Sequence, residues 1–564
     1  MKLMKLMCAV CACCVFAGVA YAGPGIRGRV VDASDGSALA GAGLVRIDSK
    51  SDVPVGTITD MDGNFAVDGE NSSYEVSYIG YKAVRIDIED GQVACAGQTL
   101  KSLDGLYIIS LELDDSFLEQ ATVSVRKSSE TVKALDNERM ASAFAIENIG
   151  AKEMGLKGIS NALESVTKLT GISVSDAGRI TVRGLGDRYS ITTLNGMPLG
   201  SPNPDNKLAP LDMFPSSTVK NVTVSKVYEA SSYADYSGAH VDISTKAGAL
   251  EPSLSASFAT GSNLNALLCP RFRMVPGKFA VQQTAGFPDI EGIISAGNSF
   301  SLGAQTLSVN GGVSVKSSSD VVKDAFFNTY EASGTRKSWF RYDSYDSALD
   351  VAALLNVEQT LRVNDRIALC AFYARNASES FQNRTGVDYE ERDLFAESRL
   401  RHIYSLLNVQ LSGYHEVGKW SVDWGIGTSL NSGEEPDRRQ MLFQRDDDGR
   451  LKFFTNNLET YRYCGDLDES DYTFSSTASR HYDNGSVFKA GMSARYKNRN
   501  FSTLRYLYDV SKVRDSFEER ILMDVNDILE NEALVKVIRK QNARDRYDAW
   551  NVVGAVFAEY DAVI

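Results

Sequence analysis

From about residue 250 onward, apolar and polar residues alternate with a period of two, segment after segment. Leu254, Ala256, Phe258 and Thr260 alternate with Ser253, Ser255 and Ser257. Leu307, Val309, Gly311, Val313 and Val315 alternate with Ser308, Asn310, Gly312, Ser314 and Lys316. The same pattern recurs at Leu407–Leu411, Val422–Leu430 and Phe488–Ala494. Successive strand residues point to opposite faces, so the pattern specifies strands with one apolar face and one wet face. Two architectures use such strands: a soluble sandwich with the apolar face inside, and a membrane barrel with the apolar face outside. The alternation alone leaves both open.

The body of the chain has no apolar run of about 18 residues, which argues against membrane-spanning helices. Its net charge of -14 disfavours nucleic acid, which requires a basic face. The N-terminus reads as an export signal over residues 1–22. Lys2 and Lys5 supply the positive end, Leu6–Ala20 the apolar stretch, and Ala20-Tyr21-Ala22 the cleavage site. The rival is a lipoprotein signal ending at Cys13 or Cys14. Beyond the signal, Cys95, Cys269, Cys370 and Cys464 are too scattered for a metal cluster or a disulfide framework. His240, His402, His415 and His481 lack zinc-ligand spacing, and no nucleophile-elbow motif is present. No catalytic residue, cofactor site or metal site is expected, and the chain does not read as an enzyme.

Residues 23–113 carry short strands separated by turn signals, the pattern of an antiparallel β-sandwich. Candidates are Ile26–Val31, Gly43–Ile47, Gly56–Thr59, Asn64–Val67, Tyr74–Ile79, Ala83–Ile88 and Leu106–Leu113. Asp60-Met61-Asp62-Gly63 could open a calcium loop, but Asn71 stands where such a loop needs its last carboxylate, so a tight hairpin turn is expected. This region resembles the carboxypeptidase regulatory-like module, a binding or spacer domain without catalytic residues.

Residues 114–130 break the strand pattern and read as a linker containing the short β-prone stretch 121–125. Residues 131–248 are mixed α+β. Ile159, Leu163, Val166 and Leu169 share a helical face that Gly171 ends, and Asn195-Gly196 sits at the tip of a hairpin. Val182-Arg183-Gly184-Leu185-Gly186-Asp187-Arg188-Tyr189, then Leu194-Asn195-Gly196-Met197-Pro198, then Leu211-Asp212-Met213-Phe214-Pro215, then Tyr236-Ser237-Gly238-Ala239-His240-Val241-Asp242-Ile243-Ser244-Thr245-Lys246, resemble the plug of TonB-dependent receptors. Ala239-His240 departs from that family, which usually has a second glycine there.

The resemblance implies a mainly β outer-membrane protein: an N-terminal sandwich in the periplasm, an α+β plug, and a transmembrane antiparallel barrel from residue 249. It makes Thr122, Val123, Ser124 and Val125 the candidate TonB box, because an extended peptide can add to a partner's sheet edge. It makes Arg183, Gly184, Arg188, Asn195 and Gly196 the plug motif. Arg183, Arg188 and Asn195 are read as core hydrogen-bonding residues, with a ligand-facing role as the alternative. The implied partners are TonB, outer-membrane lipid, an extracellular ligand and, in receptors of Bacteroidetes type, a surface lipoprotein. The rival function is a passive surface adhesin without energy coupling.

Polar stretches at Asp388–Arg392, Glu434–Arg439, Asp446–Asp448 and Asp466–Asp471 are expected to be extracellular loops. Roughly 315 residues after the plug allow on the order of ten strands, whereas a lumen that holds a plug takes about 22. The expectation is therefore an incomplete barrel, with Ile564 not the natural end.

Overall fold

The computed structural model describes residues 26–562 apart from short gaps, the longest being 113–134 and 515–524. The export signal and the candidate TonB box lie outside the described residues. The chain forms two units, 1–125 and 126–564.

The first unit is a β-sandwich of nine strands: β1 Ile26–Asp32, β2 Gly43–Arg46, β3 Gly56–Ile58, β4 Asn64–Val67, β5 Ser72–Ser77, β6 Val84–Glu89, β7 Gln92–Cys95, β8 Gln98–Thr99 and β9 Tyr107–Leu111. One sheet runs β4-β1-β9 and the other β3-β2-β5-β6-β7-β8. Val30, Phe65, Ile109 and Leu111 from the small sheet meet Leu44, Val76, Ile86 and Val93 from the large one in a single core. The expected antiparallel order fails at one place: β1 and β9, the first and last strands, pair in parallel. The Asp60–Asn64 turn is not a hairpin either, because β3 and β4 belong to different sheets. Asp60 Oδ1 accepts the Asp62 and Asn64 backbone N–H groups at 2.9 and 2.8 Å, so this carboxylate fastens the corner.

The second unit opens with a small α+β domain. Its strands are β10 Ile146–Gly150, β11 Ile172–Val174, β12 Ile180–Val182, β13 Ile191–Leu194, β14 Met197–Pro198, β15 Val219–Ser225 and β16 His240–Thr245. Five of them form a sheet in the order β10-β15-β16-β13-β14. β16 alternates buried and half-buried residues, as its sequence requires. Helix Ala162–Thr167 starts at Asn161, whose side chain accepts the Glu164 N–H at 2.9 Å. Gly171 follows it at φ +68°, in the left-handed region that ends helices without strain. Helix Ala151–Leu156 and strand β10, which carry little periodicity, are additions to the sequence reading.

Among the described residues the remainder is one large antiparallel sheet with four short satellite strands. In chain order the strands are β17 Ser253–Gly261, β18 Arg271–Met274, β19 Val281–Thr284, β20 Asp289–Leu302, β21 Gln305–Tyr330, β22 Arg336–Arg362, β23 Asp365–Val387, β24 Asp393–Val417, β25 Trp420–Arg445, β26 Leu451–Phe453, β27 Tyr461–His481, β28 Val487–Asp509, β29 Lys536–Lys540 and β30 Arg546–Asp561. The long strands run β17-β20-β21-β22-β23-β24-β25-β27-β28-β30, each antiparallel to the last. Among the described residues β17 and β30 are its edges, so the sheet is an open wall rather than a closed barrel.

Exposure separates the two architectures that the alternation allowed. On β21, Ser308 and Ser314 are 1% and 4% exposed while Val313 and Val315 are 50% and 43% exposed. On β24, Asn408 and Gln410 are buried while Leu407 and Leu411 are exposed. Polar inside and apolar outside is the membrane pattern, the inverse of a soluble sandwich. Connections at one end are short, at 303–304, 363–364, 418–419 and 482–486. At the other end 331–335 and 388–392 are also short, but the rest lengthen to 262–288, 446–460 and 510–545. Ring pairs Trp420–Phe488 and Tyr482–Tyr560, with centroids 6.4 and 6.2 Å apart, gather at the short-turn end, as interfacial aromatics do.

Two stretches expected as loops are strand instead: Glu434–Arg439 lies within β25 and Asp466–Asp471 within β27. Asp437, Arg439, Glu469 and Asp471 face the interior and pair there, whereas Glu434, Asp466 and Asp468 are exposed. Asp388–Arg392 and Asp446–Asp448 are turns, fastened by Asp388 and Asp446 accepting backbone N–H groups.

Val313→Arg should destabilise the wall by about 2–4 kcal/mol near the bilayer midplane, because it puts a cation in lipid. Urea unfolding in phospholipid vesicles measures this. An unchanged midpoint would mean this face does not meet lipid.

Candidate functional site

The α+β domain lies against the inner face of the wall, and the contact has two characters. Across β22–β24 it is apolar. Ala352, Leu354, Cys370, Phe372, Ala374 and Leu406 of the wall join the core of the domain. Phe214 stacks on Phe372 at 4.9 Å with rings 9° apart, a pair worth about 0.5–1.5 kcal/mol beyond its buried area.

Beside this patch the hairpin β13–β14 presents its tip. Asn195 and Gly196 have φ of +49° and +78°, the two positive values a type I′ turn needs. That turn aims the Asn195 amide at the wall. Its Oδ1 accepts the Thr245 N–H at 2.8 Å, and its Nδ2 donates to Gln410 Oε1 at 3.2 Å. Gln410 Nε2 donates in return to the Leu194 carbonyl at 2.7 Å. Asn356 Nδ2 donates to Thr245 Oγ1 at 3.2 Å and also to the Lys246 carbonyl. Met197 drops into a notch on β25: a Cβ on Gly425 or Gly427 would lie 2.2 or 2.6 Å from Met197 atoms.

The other motif residues lie elsewhere. Arg183 and Gly184 follow β12 at φ +49° and +83°, with the Arg183 N–H donating to the Gly171 carbonyl at 2.9 Å. Both are exposed, and Arg188 is exposed on the short turn Asp187–Tyr189. What the motif fixes here is backbone shape, not a buried arginine. Asn195 and Gly196 sit together with Asp242, whose Oδ1 accepts the Gly196 N–H at 2.7 Å. Ala239, where a glycine was expected, is fully buried, and its N–H reaches Ser190 Oγ at 3.2 Å. His240 beside it places Nε2 2.8 Å from Thr193 Oγ1.

Against β25–β28 the contact is polar and holds cavities. One of about 320 Å³ is lined by Asn203–Asn206 of the domain and by His402, Tyr404, Glu435, Arg438 and Tyr463 of the wall. Charges on this face pair in ladders. Asp437 meets Arg439 and Arg462, and Asp471 Oδ1 and Oδ2 accept from Arg495 Nε at 3.0 and 2.9 Å. Gln410, Asn356 and the acidic ladder were missed in the sequence, and Met197 was read only as part of the plug motif. The signal available was the polar half of each alternating strand.

Burial holds the His240 imidazole below its ordinary value near 6.5, against the pull of Asp242, Asp235 and Glu229. The unfolded chain therefore binds the proton first as pH falls. This contribution to stability is complete above about pH 6.5 and is lost as pH falls from there toward the folded value. Amide exchange in β13 and β16, corrected for intrinsic rate, should quicken over that range, and His240→Gln should flatten the response. Gly425→Val should loosen the seating of Met197 by about 1–3 kcal/mol through overpacking. Met197→Ala should restore much of it in the double variant; strict additivity of the two losses would show that the notch does not couple them.

The family described as TonB-dependent Receptor Plug Domain matches residues 138–239. No curated protein matches the chain. Among solved structures, the ferric citrate transporter FecA in its unliganded form is 12% identical, over 66% of this chain and 61% of that one, with a TM-score of 0.30. The closed form of the ferric-catecholate import receptor Fiu from E. coli K12 is 9% identical over 74% and 63%, with a TM-score of 0.39. The copper transporter OprC is 10% identical over 74% and 62%, with a TM-score of 0.32. The chain thus spans about three-fifths of the length of each.

Proposed function

We propose that this chain is a TonB-dependent receptor, a reading that the plug-family match over residues 138–239 supports, and that it imports a scarce extracellular ligand across the outer membrane by TonB-coupled displacement of its plug. The observation that carries this reading is the seating of the plug on a wall whose outer face is apolar and whose inner face is polar. A ligand binds at the long-connection end, near the cavity between the plug loop 203–206 and the wall. TonB pairs with Thr122–Val125 in the periplasm and pulls. The plug shifts from part of the wall, and the ligand passes without chemical change. The regulatory-like sandwich acts as a periplasmic spacer or binding module, and a surface lipoprotein partner would meet the long connections.

Strand addition needs the backbone N–H groups of 122–125, and proline removes one of them. Val123→Pro in the full chain should reduce capture by the purified periplasmic domain of TonB at least about tenfold, a loss of about 1.4 kcal/mol. Deleting 121–125 should abolish it and leave the protein in the outer membrane. Undiminished capture by both variants would sink the coupling assignment.

A further inference from the structure

At the long-connection end, residues that stand opposite one another on successive strands form a row on the inner face of the wall. The row is Tyr345 on β22, Phe381 on β23, Arg399 on β24, Arg439 on β25 and Arg462 on β27. The β18–β19 hairpin, part of the connection 262–288, lies across it. Phe272 stacks on Phe381 at 4.2 Å and meets Tyr345 edge-on at 4.6 Å. The Val275 carbonyl accepts from Arg439 Nη2 at 2.8 Å, and the Gly277 carbonyl accepts from Arg462 Nη1 at 3.2 Å. Phe279 then packs edge-on against Tyr508 of β28, with centroids 5.0 Å apart. Between Phe381 and Arg439 the hairpin must pass β24, where Arg399 stands in the row.

The ends of this crossing and its middle differ in character. A phenylalanine pins each end, and Phe279 belongs to the core of the long connections. The middle covers charge. Arg399 and Arg439 are 2% and 1% exposed. Glu397 pairs with Arg399, and Asp437 pairs with both Arg439 and Arg462, so two carboxylates serve three guanidinium groups. Nε and Nη1 of both Arg399 and Arg439 have no hydrogen-bond partner among the described residues. Like charges directly opposite on neighbouring strands repel, and buried N–H groups left unpaired forfeit their hydration. Lifting the hairpin breaks the two phenylalanine contacts and the two bonds to its carbonyls. In return, water reaches the unpaired guanidinium nitrogens and screens the repulsion between them. The strands beneath keep their ladder in either state.

We propose that the β18–β19 hairpin is a releasable arm, closed on the row by Phe272 and Phe279 and lifted as a unit, without unfolding β22–β28, because opening hydrates Arg399 and Arg439. The motion stands on these contacts alone; its use, clearing the inner face for an incoming ligand, rests on the import reading above.

The test is amide hydrogen exchange of the purified full chain in phospholipid vesicles, read on peptides spanning 271–279 and on peptides from β24. Where closing outpaces exchange, the rate reports the open population. The hairpin peptides should exchange at least about tenfold faster than β24, and Phe272→Ala should quicken them about tenfold more. The double variant Glu397→Gln with Arg399→Met should slow them about threefold to tenfold, because opening then exposes a methionine where it had hydrated a guanidinium. Removing residues that served only to pack the arm would loosen it instead. Exchange of hairpin and β24 at one common rate overturns the proposal, as does a double variant that leaves β24 protected and does not slow the hairpin. Should the double variant weaken β24 itself, Phe272→Ala decides: a faster hairpin over an unchanged β24 upholds the arm, and equal quickening of both overturns it.

Discussion

A strand in lipid has no water to satisfy its N–H and C=O groups, so every strand of the wall must be paired by its neighbours. The rest of the second unit follows from this requirement. The ladder from β20 through β28 is nearly continuous and leaves the side chains to settle the two faces. Lipid takes the apolar face. The polar face is turned inward, where it cannot collapse into an oily core and has to be satisfied by something else. The charges on β25–β28 satisfy one another, within β25 for Asp437 with Arg439 and across strands for Asp437 with Arg462, Asp471 with Arg495, and Glu469 with Lys497 and Arg499. Such pairs contribute little net stability, but removing one partner strands a charge in a partly dry space.

The plug meets the other part of that inner face. On β22–β24 the wall carries Phe372, Leu354 and Leu406, and the plug core runs straight into them. The amide cluster of Asn195, Gln410 and Asn356 borders this patch and fixes its register. Each such bond contributes about 1 kcal/mol net, yet a buried amide facing the wrong residue would cost more, so the cluster selects one seating over its neighbours. The long connections have a core of their own, built from Phe279, Phe395, Phe443, Leu451, Tyr508 and Val535.

The sequence carried the strands of the wall, the sandwich, and the plug hairpin well, because period two and Asn195-Gly196 are local signals that tertiary context reinforced. It carried the long connections poorly. Phe279, Leu451 and Val535 are far apart in the chain, and nothing local says they meet. Glu434–Arg439 and Asp466–Asp471 were read as loops because dense charge usually means solvent. In an inverted sheet, dense charge on one face is also what an inward-facing strand looks like, and only the partner strand tells the two apart. The parallel pairing of β1 with β9 was likewise out of reach, since it joins the two ends of the sandwich. The candidate site was legible at Asn195 and Gly196, whose backbone angles are local, and not at Gln410, whose role depends on what faces it.

The two characters of the plug–wall contact have unequal consequences for motion. Parting the plug from β22–β24 would expose Phe214, Phe372 and their neighbours to water, at a cost of about 25 cal/mol for each Å² of apolar surface. Parting it from β27 and β28 would mostly exchange hydrogen bonds and ion pairs for contacts with water. That exchange costs only about 0.5–1.5 kcal/mol for each bond. A force on the plug therefore meets a stiff side and a compliant one, fixed by which wall strands carry apolar residues inward. A cavity bordered by Lys207 and Arg495 lies on the compliant side, and the one lined by Tyr404 and Arg438 lies at its border with the stiff side. Where the plug parts most easily from the wall and where polar groups line the space between them both follow from the placement of a few inward-facing residues on β22–β28.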